Sequence, residues 1–160
     1  MNNSLSVEYA IHSIINLALL PKDMPVAAKQ LASFMGVTPT YLAKIFTSLS
    51  KAGIVKSNVG SKGGIRLARP AEEISFYDVF LAVNGGGGLF QCNNIRAFTL
   101  GYMPTPGMCE VHKEMKEAEE KMFDHLRSIT ISSMAEAALS KLSDEELEQR
   151  LLQVKDFMKK

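Results

Sequence analysis

Apolar residues in the first twenty positions recur with a helical period. Val7, Ile11, Ile14 and Ala18 fall three or four apart, which places them on one face, and Pro21 ends the run. The spacing predicts a helix over about Leu5 to Leu20. A short helix from about Val26 to Phe34 follows and stops near Gly36. Thr38 and Pro39 then pair an N-cap hydroxyl with a proline at the first helical position, where its missing N–H costs nothing. The helix they open carries Leu42, Ile45, Phe46 and Leu49 as its apolar stripe and ends at Gly53. Helix, tight turn and helix make a helix-turn-helix pattern.

The period changes after Gly53. Ile54 to Ser57 and Ile65 to Ala68 read as short strands around the glycine-rich stretch from Asn58 to Gly64. A basic hairpin directly after a helix-turn-helix is a wing. Pro70 breaks the chain, and Ser75 caps a helix to about Val83. The four glycines Gly85 to Gly88 read as a joint. A phosphate-binding loop would continue into Gly-Lys-Ser/Thr, and this one does not.

Leu89 to Gly107 shows no regular pattern, and from about Met108 a long helix runs to roughly Ser128. Met108, Met115, Met122 and Ile129 lie seven apart, interleaved with Val111, Ala118 and His125, which is a heptad seam of about three repeats. His125 on that seam reads as a polar residue that specifies the pairing. A helix near Ile131 to Leu139 follows, and Ser143 with Glu146 forms a capping box opening a helix with Leu147, Leu151, Val154 and Met158. The expected fold is mainly α: a winged helix-turn-helix domain with a two-stranded wing, and a long dimerisation helix. The expected division is 1–83 for DNA binding, 84–107 as a sensor loop, and 108–160 for the dimerisation helix and C-terminal helices.

Composition adds exclusions. The chain has 160 residues, 46% apolar and 22% charged, an ordinary globular balance. Its longest apolar candidate, Ala10 to Leu20, is interrupted by His12, Ser13 and Asn16 and lacks a basic leader, so neither a membrane span nor a secretory signal is expected. A cytoplasmic protein is the expectation. Two cysteines make no disulfide scaffold. No catalytic constellation is present, so an enzyme is not expected.

Charge changes the picture more. The net charge of +1 hides an asymmetry. Between Met24 and Ala71 lie Lys29, Lys44, Lys51, Lys56, Lys62, Arg66 and Arg69, with no Asp or Glu, whereas the remainder carries −6. Such a segment suits a polyanion. On the helix opened by Thr38, the residues Thr40, Lys44, Thr47 and Lys51 step along the side opposite the apolar stripe, with Tyr41 and Ser48 beside them. Hydroxyls and ammoniums there suit phosphates and base edges in a major groove. In the wing, Ser61, Lys62, Gly63 and Arg66 supply further backbone contacts. The expected partner is double-stranded DNA. The alternative is a regulator that uses this surface on a partner enzyme.

These residues resemble a known family, the winged-helix bacterial regulators that include IscR, NsrR and CymR. The matching segments are Leu31-Ala32, Thr38 to Lys44, Leu49 to Val55, Gly60 to Pro70 and Ile74 to Val79, within a resemblance spanning about residues 5 to 130. The wing Gly60-Ser61-Lys62-Gly63-Gly64 with its exit Leu67-Ala68-Arg69-Pro70 is the specific part. The resemblance implies a homodimer, paired through the long helix, that binds a palindromic operator and usually represses transcription.

Many members of that family hold an iron–sulphur cluster on three loop cysteines. Cys92 stands at the first position, and Cys109 with His112 resembles the last cysteine and nearby histidine, but Asn93 to Met108 holds no thiol. Glu8 and His12, one helical turn apart, resemble the acid and histidine that the RsrR subgroup combines with the loop cysteine. Bland alternatives stand beside these. Glu8 would be a favourable charge near a helix start, His12 a core histidine, and the two cysteines inert. Three signals therefore stay open: a [2Fe–2S] or similar cluster, a thiol switch between Cys92 and Cys109, and a small-molecule or protein effector with no metal.

Overall fold

The computed structural model describes residues 3–21, 24–58, 63–90 and 109–159. In chain order the helices are α1 (Asn3–Ala18), α2 (Ala28–Phe34), α3 (Pro39–Lys51), α4 (Phe76–Asn84), α5 (Glu110–Ser128), α6 (Ile131–Leu139) and α7 (Asp144–Lys159). Strands β1 (Val55–Asn58) and β2 (Gly64–Leu67) lie between α3 and α4, followed by a 3-10 turn at Ala71–Glu73. The expected elements are present, with ends moved by a few residues. α1 starts and stops about two residues earlier than its period suggests, and the long helix starts at Glu110 with Cys109 as its N-cap.

One core joins the elements. Ala10, Ile14 and Leu17 of α1 meet Leu31 of α2 and Leu42, Ile45, Phe46 and Leu49 of α3. Ile131 of α6 is fully buried in the same cluster, and Val154 of α7 packs against it. Burying such side chains stabilises the fold by about 1.5–3 kcal/mol each.

The wing is antiparallel, pairing Val55 with Leu67, Lys56 with Arg66, Ser57 with Ile65 and Asn58 with Gly64. A third segment completes it. Val26 bridges Ile65, its N–H donating to the Ile65 carbonyl at 3.0 Å and its carbonyl accepting at 2.8 Å. So the chain before α2, which the period reads as helix, is an edge of the sheet. Gly64 is what allows this approach: a Cβ there would stand 2.9 Å from both the Val26 nitrogen and oxygen, at φ +154°.

A second bridge joins Ser75 to Thr130. Phe76 N–H donates to Ile129 O at 2.9 Å, and Ile131 N–H donates to Ile74 O at 2.8 Å. Each bridging residue also caps a helix with its hydroxyl, Ser75 for α4 and Thr130 for α6. The start of α4 and the end of α5 are thereby sewn together.

Candidate nucleic-acid interface

The helix-turn-helix is α2 and α3, joined through Gly36 in a left-handed conformation at φ 67°. Thr38 Oγ1 accepts from Tyr41 N–H at 3.3 Å, and Pro39 occupies the first turn. α3 then splits by face. Leu42, Ile45, Phe46 and Leu49 are buried, whereas Thr38, Thr40, Ala43, Lys44, Thr47, Ser50 and Lys51 are exposed. Small residues at Ala43 and Ser50 keep the exposed face low, which suits a groove.

Two side chains assigned to that face do other work as well. Tyr41 is half-buried, its hydroxyl 2.9 Å from Ser6 Oγ and its ring edge-on to Tyr9 at 5.7 Å, so it straps α3 to α1. Ser48 is also half-buried. In the wing, Lys56 is exposed and stands opposite the half-buried Arg66, and Gly63 is half-buried. Ser61 and Lys62 lie outside the described residues. Of the seven cations in the acid-free segment, Arg69 is spent on the fold. It donates to Glu73 O at 2.7 Å and to Asp78 Oδ2 at 3.1 Å, and Asp78 in turn accepts from Ser75 N–H.

The long helix shows the opposite pattern. Val111 is 70% exposed and Met115 37%, with Ala118 and His125 also exposed and Met122 half-buried. The seam therefore faces away from its own chain; Met108 lies outside the described residues. The other side of α5 is anchored. Phe123 meets the rings of Tyr77 and Phe80 at 5.1 and 5.6 Å. The Arg127 guanidinium lies 4.1 Å above Tyr77, a cation–π contact. Glu119, 8% exposed, accepts a hydrogen bond from Leu89 N–H in the loop after the glycine joint. Sequence reasoning passed over Glu119. Its only signal is position, four residues before Phe123 and on the same face.

The sensor candidates divide into two sets. Glu8 and His12 are both exposed on α1, so His12 is not the core histidine its apolar neighbours suggest. Cys109 and His112 are half-buried at the start of α5. Cys92 lies outside the described residues. Among the described residues no three His, Cys, Asp or Glu side chains gather in a metal-holding group. Among them, too, no helix is long and apolar enough to cross a membrane.

A sequence profile of the Rrf2 family, described as iron-dependent transcriptional regulators, matches residues 3–137. The chain belongs to the Rrf2 family. YffB of Lactococcus lactis subsp. lactis is 30% identical over 145 residues, spanning 91% of this chain and 88% of its own length. NsrR of Halalkalibacterium halodurans, an HTH-type transcriptional regulator, is 28% identical over 148 residues, 92% of this chain and 94% of its own. The solved structure of T. potens IscR superposes with a TM-score of 0.68 at 23% identity, covering 87% of this chain and 90% of that one. This Rrf2-type chain is thus a winged-helix, DNA-binding transcriptional regulator, and not an enzyme.

Proposed function

We propose that this Rrf2-family chain acts as a homodimeric repressor that sets one α3 into the major groove at each half of a palindromic operator. The carrying observation is the exposed face of α3, where Thr40, Lys44, Thr47 and Lys51 project from a segment without a single acidic residue. The positive end of the α3 dipole adds attraction for a phosphate. The wing, with Ser61, Lys62, Gly63 and Arg66, rests on the flanking backbone. Two such modules engage half-sites about 34 Å apart when α5 pairs with its copy.

The signal enters at the loop before α5, and the contacts of α5 supply a route to the DNA-binding surface. Glu119 holds the loop backbone at Leu89, while Phe123, Arg127 and the Ser75–Thr130 bridge hold α4. α4 packs on both α1 and α3. A change in the loop that shifts α5 would therefore alter the spacing of the two α3 helices and move the population away from the operator-binding arrangement. Cys92, Cys109, His112, Glu8 and His12 are the donors a [2Fe–2S] cluster would use. Because no three of the described donors converge, no step here runs through a metal. Anaerobic purification with a visible spectrum and an iron assay decides the cofactor: a colourless, iron-free protein with Cys92 as a free thiol eliminates the cluster.

The DNA reading is tested by Lys44→Ala combined with Lys62→Ala. The double variant should lose affinity for promoter DNA at matched salt, and its log K against log salt slope should fall by roughly one to two units, near 0.9 per lost phosphate contact. Retention of full DNA binding would instead favour the reading in which this face contacts a partner enzyme.

A further inference from the structure

What α3 carries limits which bases it can read. The helix contains no Arg, Asn, Gln, Asp or Glu. The contacts by which arginine reads guanine, asparagine or glutamine reads adenine, and acids read cytosine are therefore closed to it. Lys44 and Lys51 offer charge, which phosphates accept as readily as guanine does. Thr47 has less hydrogen-bonding freedom than its type suggests. Its hydroxyl donates to the Ala43 carbonyl one turn back at 2.8 Å, so its proton is committed to the helix. What the exposed Thr47 still offers a groove is a methyl group and an acceptor oxygen. Ala43, four residues earlier and also exposed, lies on the same face and offers a second methyl. Together they form an apolar spot in the middle of a face that is otherwise hydroxylated and cationic. Among the four bases, only thymine presents a matching group in the major groove, its C5-methyl.

We infer that α3 recognises its operator through thymine methyl groups, packed against the methyls of Thr47 and Ala43. This deepens the operator reading above and rests on α3 lying in the major groove. Affinity and specificity then come from different side chains. The lysines supply charge that any duplex satisfies, whereas the methyl pair requires thymine at the base pairs facing the middle of the helix. The Thr47 hydroxyl has a positioning role: its bond to Ala43 holds the side chain in one rotamer.

The probe is a duplex that the full chain enriches from a randomised pool, made once with thymine and once with uracil, which lacks only the C5-methyl. Affinities are measured by fluorescence anisotropy at matched salt. Parent affinity should fall by about fourfold for each methyl removed from a buried contact. Thr47→Ser keeps the hydroxyl and removes the methyl, so its thymine-over-uracil ratio should be smaller than the parent's by about fourfold per half-site. Thr47→Val keeps a methyl and should keep the ratio, whatever its absolute affinity. An effect of uracil on duplex stiffness would be common to all three proteins. Equal affinity of the parent for the two duplexes overturns the reading of thymine methyls. An undiminished ratio in Thr47→Ser, or a ratio lost in Thr47→Val, overturns the assignment to the Thr47 methyl. A pool from which the parent enriches no duplex overturns the operator reading itself, and this inference with it.

Discussion

α3 and α5 are both amphipathic helices, yet they use their apolar stripes in opposite ways. On α3 the stripe is consumed within the chain: Leu42 and Leu49 are 0% exposed, and what remains outside is small, hydroxylated or cationic. On α5 the first part of the heptad stripe is left uncovered, with Val111 at 70% and Met115 at 37%, while Met122 is half-buried and Glu119 and Phe123 on the other side are buried. Apolar side chains in a row on a solvent face are the mark of an unfinished interface. The difference teaches that α3 buries its stripe within one chain, whereas α5 leaves part of its stripe open, which is what the proposed pairing would cover.

The sharpest way to break this contrast is Met115→Glu. A charge in the seam should convert the proposed dimer to a monomer in sedimentation, with the fold intact by circular dichroism. Affinity for a two-half-site duplex should fall by about 100-fold or more, because the second half-site no longer benefits from linkage to the first. A parent protein that sediments as a monomer would remove the pairing role of α5 altogether.

Leu49→Ala probes the other stripe. Here the loss should appear as stability, about 2–5 kcal/mol by denaturant unfolding, since a fully buried leucine leaves a cavity among α1, α2 and α3. A loss well below that range would mean that α3 is less embedded than its burial indicates.

The smallest effect belongs to the exposed surface of α5. Glu117 pairs with Lys121 at 2.8 Å, and that hydrogen bond, followed by the lysine's charge, holds the Glu117 carboxyl below its ordinary range. A depressed folded value means that the contribution is present above the unfolded value and is lost as pH falls through the folded one. Glu117→Gln should therefore lower the melting midpoint slightly at neutral pH and leave it unchanged in acid. A constant difference across that range would show that the ion pair is not its source.

Much of this architecture was legible along the chain because its signals are local. Thr38-Pro39 and Ser75 mark helix starts through hydroxyl caps and a proline whose absent N–H is harmless. The stripe from Leu42 to Leu49 marks a buried face through its period alone. The acid-free run from Met24 to Ala71 points to a polyanion through charge. Less visible was anything that depends on partners distant in sequence. Val26 reads as the start of a helix until Ile65 arrives to pair with it. His12 reads as a core residue until packing turns its face outward. Arg69 counts with the DNA-facing cations until Asp78 claims it.

What the sequence by itself determined is the kind of protein: a winged helix-turn-helix with a basic, acid-free reading segment and a heptad helix after a glycine joint. Caps, periods and charge runs involve neighbours three to seven residues apart, so they are present before the chain folds. Only the tertiary structure decided that Asp78 holds Arg69, that Ile131 joins the core of α1, that Glu119 holds the loop at Leu89, and that a cavity opens at the base of the wing. Those features arise where segments distant in sequence are brought into contact, as Ser75 and Ile74 meet Thr130 and Ile131. Contacts of that range depend on how every intervening element packs, and no local pattern encodes them.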